Sequence, residues 1–335
     1  MKAFSITEHG IANLREVERP IPEPRHGEVV VRVAAAALNY RDVEIIEGSY
    51  HTRFDLPLIP LSDGVGEVVA VGEGVARVRA GDRVAGTFWQ NWIAGGFDMA
   101  DTNRQLGGPI DGMLADYVRL SADGVVQVPA HLSDEEAATL PCAGLTAWHA
   151  LVTEGGIKPG DTVLVQGTGG VAIFALQFAR LAGAKVIVTS SSDAKLERAK
   201  ALGASGTINY RRSPEWGLEV RALADGRGVD HVVEVGGPGS FGQSLLALRP
   251  GGQINVIGYL GGVEGAINPL DIFRRKARVR GIPVGSRQSF EAMNRGIGAT
   301  GLRPVIDRVF PRGEVRAALD YLRSGQHFGK VVLRS

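Results

Sequence analysis

The segment with the clearest chemical meaning is Gly167-Thr168-Gly169-Gly170-Val171-Ala172, a G-x-G-x-x-A pattern. It follows a strand-like run over 161–166 and precedes a helical pattern over 173–181. In that context small residues let the backbone approach a pyrophosphate, which the amides and dipole of the helix N-terminus bind. A glycine-rich loop without a ligand is the alternative, but strand, spacing and helix all agree. The sequence therefore predicts a bound dinucleotide.

The end of the next predicted strand, Lys185–Ser190, bears on which dinucleotide binds. NAD enzymes usually place an acidic side chain about 20 residues after the glycine pattern, where it bonds the ribose 2′-hydroxyl. Ser190 and Ser191 stand there instead; they can donate to a 2′-phosphate, and Lys195 can supply the countercharge. Alternatively, the residues after the strand cap a helix and Lys195 is solvated. NADPH is favoured, and the nearby Asp193 keeps NADH open.

Bulk composition excludes several classes of partner. With 37 Lys and Arg against 36 Asp and Glu, the net charge of +1 offers no field that would attract a nucleic acid or an acidic membrane surface. No apolar run approaches the ~18 residues of a membrane span, and the N-terminal segment carries no apolar leader. We expect a cytoplasmic protein that acts on a small-molecule substrate, with no nucleic-acid or membrane partner.

The elements that must position these residues change in character near residue 125. Before it, short valine-rich runs separated by Gly, Pro and Asp predict a mostly antiparallel, barrel-like β domain. After it, strand-like and helix-like segments alternate, which predicts a parallel sheet with helices on both faces. Ser133 with Glu136 forms a capping box, and Ser213-Pro214 marks a further helix start. Short elements resume after residue 304, and the pattern alone leaves their domain open.

Over nearly its whole length the chain resembles the zinc-lacking, quinone-oxidoreductase-like branch of the medium-chain dehydrogenase/reductase superfamily. The resemblance rests on the order and spacing of Asn39–Asp42, Pro60–Gly66, Leu140–Trp148, Gly167–Val171, Ala199–Ala204 and Phe328–Val332. It implies an α/β plus β fold: a GroES-like β-barrel-type domain over 1–124, to which 286–335 return, and a doubly wound Rossmann domain over 125–285. It also implies an active site in the cleft between the domains. Members are homodimers or tetramers, of which we expect the homodimer.

The same resemblance allows zinc to be tested by position. Zinc-dependent relatives carry a Cys, a His and a Cys or Asp where this chain has Asn39, Ser62 and Cys142. Amides and hydroxyls are not usual Zn²⁺ ligands, and Thr87–Gly112 lacks the four clustered cysteines of a structural zinc lobe. We therefore expect no metal. Cys142, the only cysteine, is interpreted as a small side chain beside the nicotinamide, since no histidine is evidently paired with it.

The resemblance also implies candidate site residues. Catalytic candidates are Asn39, Tyr40, Arg41 and Tyr50, the last as a proton donor. A packed aromatic is the alternative role of Tyr50, and Arg41 with Asp42 can equally be a structural ion pair. The cofactor set comprises Gly169, Gly170 and Val171 at the pyrophosphate, Tyr210 at the adenosine end, and Gly258, Tyr259, Val284, Gly285 and Lys330 near the nicotinamide. For this last group, the glycines can alternatively belong to ordinary turns at strand ends, and Lys330 can be a solvated lysine before the last strand.

The expected reaction follows from the missing metal ligands. Without a metal to polarise a carbonyl, oxidation of an alcohol lacks its usual means of stabilising an alkoxide. Reduction of a quinone, or of the C=C bond of an enone or enal, needs hydrogen-bond donors for the developing oxyanion in a dry cleft. We expect an NADPH-dependent oxidoreductase that transfers hydride to such acceptors. The alternatives are an NAD(P)-dependent alcohol dehydrogenase and, from a different class, an NADPH-binding sensor or structural protein.

Overall fold

The computed structural model describes residues 1–335, which form two units. The first comprises Met1–Leu145 and Gly285–Ser335, and the second comprises Thr146–Val284. The predicted domain limits, 1–124 with 286–335 and 125–285, come from the family resemblance, whereas the units are defined by contacts between residues. The predicted limits therefore stay a prediction.

Fifteen strands and ten α-helices are distributed over the two units. The strands are β1 Lys2–Ser5, β2 Arg15–Glu18, β3 Glu28–Ala37, β4 Asp63–Val71, β5 Arg83–Gly86, β6 Tyr117–Ser121, β7 Val125–Gln127, β8 Thr162–Gln166, β9 Lys185–Ser190, β10 Gly206–Asn209, β11 Val229–Glu234, β12 Leu248–Val256, β13 Arg278–Gly281, β14 Ile306–Pro311 and β15 Lys330–Arg334. The helices are α1 Tyr40–Glu47, α2 Asp134–Ala138, α3 Leu145–Trp148, α4 Gly170–Leu181, α5 Asp193–Ala201, α6 Trp216–Leu223, α7 Pro238–Ala247, α8 Pro269–Arg275, α9 Arg287–Thr300 and α10 Val315–Arg323. None of these helices has the length and apolar character needed to cross a membrane.

The first unit is built on a seven-stranded sheet in the order β14-β15-β3-β4-β5-β7, with β6 also paired to β3. Every pairing is antiparallel except that of β14 with β15. One side of β3 pairs with β4, and the other side is shared: β6 takes Glu28–Arg32 and β15 takes Ala35–Ala37. The predicted, mostly antiparallel β domain is confirmed, and the elements after residue 304 belong to this unit.

The second unit has a six-stranded parallel sheet in the order β10-β9-β8-β11-β12-β13. Counted from its own first strand, this order is 3-2-1-4-5-6, that of a doubly wound dinucleotide-binding sheet. All residues of the central strands β8 and β11 are buried, as expected when both faces of a parallel sheet are covered. The winding reverses between β8 and β11, so a crevice opens outside the carboxyl ends of these two strands.

One predicted helix start is wrong. Ser213-Pro214 does not begin a helix, because the amides of Arg212 and Ser213 donate to the carbonyl of Asn209 and this turn delays α6 until Trp216. The capping box of Ser133 and Glu136 is confirmed immediately before α2. Strands β10 and β13 and helix α9 were not predicted, because they are short or carry charged residues and glycines that obscure the apolar period.

Replacing Gly66 tests the close pairing of β3 with β4. A Cβ at this position would lie 2.0 Å from the carbonyl oxygen of Arg32, a backbone atom that cannot move without breaking the ladder. We expect Gly66→Ala to lower the free energy of unfolding by about 3 kcal/mol or more, measured by chemical denaturation. Gly298→Ala is the matched control, because a Cβ there, within α9, meets nothing within 4 Å. It should be neutral or stabilise by about 0.5–1 kcal/mol, and equal losses in both variants would contradict the expectation.

Candidate active site

The glycine-rich turn after β8 has the form needed to hold a pyrophosphate. Gly167 adopts a left-handed conformation with φ 76°, and Gly169 is the N-cap of the twelve-residue helix α4. No side chain caps this helix, so the amides of its first turn have no acceptor from within the helix or from a cap. An anion placed there would accept from these amides and be stabilised by the helix dipole. The residues present therefore fit a dinucleotide pyrophosphate.

A buried polar network joins the two strand ends that flank the crevice. The carboxylate of Glu234, which has 0% exposure, accepts from Gln166 Nε2 at 2.7 Å and from the amides of Gly236 at 2.9 Å and Gly237 at 3.2 Å. The hydroxyls of Ser240 and Ser244 also donate to it. Since Gln166 is the last residue of β8 and Glu234 the last of β11, the network fixes both turns that border the crevice.

Glu234 and Gln166 were not predicted as site residues. Both lie near the end of predicted strands, where a polar side chain is common and does not by itself indicate a site. The available signal was their position: each is polar, ends a strand of apolar residues, and directly precedes a glycine-containing turn. Polar residues at the carboxyl ends of adjacent parallel strands lie at the same edge of the sheet.

The end of β9 brings together three of the residues predicted for the adenosine end of the cofactor. Ser190 is buried, and its carbonyl accepts from the amide of Tyr210, so Ser190, Ser191 and Tyr210 lie together. The carboxylate of Asp193 accepts from Asn209 Nδ2 at 2.8 Å and pairs with Arg212. These two contacts hold the pKa of Asp193 below its usual range. The one acid near the strand end is therefore already committed.

Ser192 is the N-cap of α5, and Lys195 lies in the first turn of that helix, with its amide donating to Ser192 Oγ at 3.5 Å. The capping role considered for this segment is therefore present. The cap uses only the backbone amide of Lys195. The residue itself lies in the first turn of α5, next to the end of β9 that carries Ser190 and Ser191.

The candidates nearer the end of the second unit lie at special backbone positions. The amide of Gly258 donates to the carbonyl of Glu234 at 3.3 Å, so the turn that carries Gly258 and Tyr259 adjoins the same strand end. Val284, the last residue of the unit, has φ 70°, a conformation that is a genuine outlier for a β-branched residue and costs on the order of 1–3 kcal/mol. Gly285 is the first residue assigned back to the other unit.

In the first unit, three strand ends bring Asn39, Asp63 and Lys330 together. Asp63 opens β4 opposite Ala37, and Lys330 opens β15, whose Val331 carbonyl accepts from the amide of Leu38. Both strands run antiparallel to β3, so their first residues lie beside the residues that follow β3. The ammonium of Lys330 donates to Asn39 Oδ1 at 2.6 Å and lies 3.7 Å from Asp63 Oδ2.

The three positions matched to zinc ligands surround the carboxylate of Asp63. Asn39 Nδ2 lies 3.4 Å from Ser62 Oγ, Ser62 Oγ donates to Asp63 Oδ1 at 2.8 Å, and the Cys142 amide donates to Asp63 Oδ2 at 3.3 Å. Burial and the Asp63 carboxylate raise the pKa of the Cys142 thiol well above its usual value. An amide and a hydroxyl are poor Zn²⁺ ligands, which leaves the Cys142 thiol as the one usual ligand among the three positions. The residues present at these positions therefore do not fit a catalytic zinc ion.

Arg41 anchors the segment that relatives use for a structural zinc lobe. Its guanidinium donates to the carbonyls of Leu106 at 3.0 Å and Gly108 at 3.1 Å, and to Gln105 Oε1 at 3.1 Å. It also lies 4.7 Å from the ring centre of Phe88, within cation–π range. These contacts attach Arg41 to the segment 105–108. One nitrogen of the guanidinium also lies 3.5 Å from Asp42 Oδ1, so the ion pair considered from the sequence is present as well.

Tyr50 and Tyr40 occupy different environments. The Tyr50 ring lies 5.1 Å from the guanidinium of Arg41, and its hydroxyl donates to Gln105 Oε1 at 3.4 Å. Burial raises the pKa of Tyr50 above its usual value, so the hydroxyl stays protonated at neutral pH. Tyr40 is 45% exposed at the start of α1. Of the four catalytic candidates, Asn39 lies in the buried cluster with Asp63 and Lys330. Arg41 and the half-buried Tyr50 contact each other and share Gln105 as a partner, and Tyr40 is left at the surface.

Two models of known protein families match the chain. The alcohol dehydrogenase GroES-like domain matches residues 25–130, and the zinc-binding dehydrogenase model matches residues 170–297. A zinc-type alcohol dehydrogenase-like protein of Schizosaccharomyces pombe is 44% identical over 97% of this chain and 96% of its own length. A quinone oxidoreductase of Lama guanicoe is 28% identical over 99% of this chain and 97% of its own length.

Solved structures give the same similarity over the whole chain. A crystal structure of an NAD-dependent alcohol dehydrogenase has a TM-score of 0.91 at 36% identity and covers 100% of both chains. A mycobacterial protein in complex with NADPH has a TM-score of 0.84 at 27% identity, again over 100% of both chains. Nicotinamide dinucleotides, in both the phosphorylated and unphosphorylated forms, are therefore named for proteins with this architecture.

Removing the carboxylate of Glu234 tests the network at the crevice. In Glu234→Ala five donors lose a buried acceptor, and only Gln166 and Ser240 keep a second one. We therefore expect the free energy of unfolding to fall by about 3–5 kcal/mol, measured by chemical denaturation. Glu219→Ala, at an exposed position on α6, is the control and should change stability by less than about 0.5 kcal/mol. A loss in Glu234→Ala no larger than that of the control would contradict the assigned role.

Proposed function

Because this chain belongs to the zinc-type alcohol dehydrogenase-like branch of the medium-chain dehydrogenase/reductase superfamily and is an NAD(P)H-dependent oxidoreductase, we propose that it reduces activated acceptors without a metal. The acceptors are quinones or the C=C bond of α,β-unsaturated carbonyls, and the donor is NADPH. The observation that carries the proposal is the donor set around Asp63. Asn39 and Ser62 stand where metal-dependent relatives have ligands, and the ammonium of Lys330 is already bonded there.

The chain's own residues account for cofactor binding. The amides that follow Gly167 hold the pyrophosphate, and the turns after β8 and β11 are kept in place by Glu234. Ser190, Ser191 and Tyr210 bind the adenosine end. When bound, the nicotinamide supplies a hydride.

Two side chains of the first unit serve the acceptor. As the acceptor is reduced, negative charge develops on its oxygen, and donors in a buried site stabilise that charge far more than they would in water. The Asn39 side chain, 9% exposed, supplies such a donor through Nδ2. The Tyr50 hydroxyl, kept protonated by burial, donates the proton that completes the reduction.

An alcohol dehydrogenase is the second candidate. The relative that is 44% identical is a zinc-type alcohol dehydrogenase-like protein, and a zinc-binding dehydrogenase model matches residues 170–297. That activity would need another way of stabilising an alkoxide, because the ligand positions here carry an amide and a hydroxyl.

A substrate panel separates the two candidates. Loss of NADPH absorbance should be seen with quinones, enones and enals. It should be at least about 100-fold slower with simple aldehydes, because saturated carbonyls need the stronger polarisation that a metal provides. Treatment with a chelator should leave the rate unchanged, and metal analysis of the purified protein should give no stoichiometric zinc. Turnover of alcohols alone, together with bound zinc, would reject the proposed function in favour of the alcohol dehydrogenase.

Ser191→Asp tests the preference for NADPH. A carboxylate at the end of β9 would repel a 2′-phosphate, so the Kd for NADPH should rise by about 10-fold or more while the Kd for NADH is unchanged or falls. Titration of the protein's tryptophan fluorescence with each dinucleotide measures both constants. Ser335→Asp, an exposed position in the first unit, adds the same charge and should change neither. An equal weakening of both dinucleotides by Ser191→Asp would argue for disruption of the turn and against recognition of the phosphate.

A further inference from the structure

Lys330 is a buried cation with a complete set of partners. Its side chain is 3% exposed, and its ammonium donates to the carbonyl of Leu38 at 2.7 Å and to Asn39 Oδ1 at 2.6 Å. The carboxylate of Asp63, with 0% exposure, lies 3.7 Å away and balances its charge. Burial of an ammonium is costly unless its donors and its charge are matched. All three contacts are made within the first unit, so the position of Lys330 is fixed by that unit alone.

This arrangement dictates which way the amide of Asn39 faces. An ammonium has three donors and no acceptor, so only the oxygen of the Asn39 side chain can lie against it. Nδ2 is thereby turned toward Ser62, at 3.4 Å from Oγ. The hydroxyl hydrogen of Ser62 is directed at Asp63 Oδ1 at 2.8 Å, which leaves Oγ as an acceptor for Nδ2. One of the two Nδ2 hydrogens is used in this way, and no protein acceptor is in reach of the other.

We propose that Lys330 is a positioning residue that fixes the Asn39 amide with Nδ2 as the hydrogen-bond donor of the active site, in the place of a catalytic metal ion. The oxyanion-stabilising role of that donor rests on the proposed function, whereas the orientation of the amide does not.

Unfolding measurements test the orientation without reference to turnover. Lys330→Met leaves the Asp63 carboxylate without a cation and should lower Tm by about 5–10 °C. Lys330→Met with Asp63→Asn should lower it by less than the sum of the single changes. Asn39→Asp replaces Nδ2 by an oxygen and should cost little while Lys330 is present, but at least about 5 °C more in the Lys330→Met background. Additive effects in both comparisons would overturn the proposal.

The exposed pair of Lys185 and Asp225 provides the matched control. Its atoms are 3.5 Å apart, and the side chains are 61% and 85% exposed. Lys185→Met with Asp225→Asn removes the same two charges from the surface and should shift Tm by less than about 2 °C, with no coupling.

Kinetics of the same variants then separate positioning from simple structural support. Asn39→Asp should lower kcat for the best acceptor of the panel about 100-fold or more, with the Kd for NADPH unchanged. Lys330→Met with Asp63→Asn should recover much of the stability but keep a kcat at least about 10-fold below that of the unchanged protein, because the amide is no longer held. Either variant with an unchanged kcat would overturn the proposal.

The proposed function and this inference fail in different ways. If the unchanged protein reduces no acceptor, the proposed function is wrong, and the unfolding data alone decide the orientation of the amide. Coupling between residue 39 and Lys330 then supports it, and the absence of coupling rejects it. If the protein is active and only the kinetic expectations fail, the function stands and the role assigned to Lys330 and Asn39 is wrong.

Discussion

The buried carboxylate of Asp63 is the constraint on which the first unit depends. A charge removed from water must be matched by donors and by a countercharge. Ser62, the backbone amide of Cys142 and the ammonium of Lys330 supply them from distant parts of the chain. Only a sheet in which β4 and β15 both flank β3 brings these groups to one place. The topology of the unit and the charge balance of its polar cluster therefore depend on each other.

The second unit meets the same demand with a different composition. Its buried carboxylate, Glu234, is matched entirely by neutral donors from side-chain amide, hydroxyl and backbone N–H groups. A turn that receives a pyrophosphate gains from rigid backbone amides. The polar cluster of the first unit instead combines hydroxyl, backbone amide and ammonium groups around one carboxylate.

Sequence patterns predict the architecture well because glycine turns, capping residues and apolar periods are local. The strand-turn-helix context of Gly167, the β9 hydroxyls and the capping box at Ser133 are all readable in this way. The contacts of Lys330 with Asn39 are not, since the two residues are separated by 291 positions and meet only through the pairing of β15 with β3. Ser213-Pro214 shows the opposite limit: a sound local signal for a helix start was overridden by a turn that closes on Asn209. Glu234 was missed because its partners come from three different elements.

The return of the C-terminal segment to the first sheet has a consequence for how the protein is made. The second unit is one continuous stretch, Thr146–Val284, and can complete its sheet as soon as that stretch has left the ribosome. The first unit begins earlier but stays incomplete until β15 arrives and takes its place beside β3. The three alanines Ala35–Ala37, which β6 does not reach, stay unpaired on that side of β3 throughout that interval. The domain that starts first during synthesis is thus finished last, and its buried cation, Lys330, arrives with the strand that completes it.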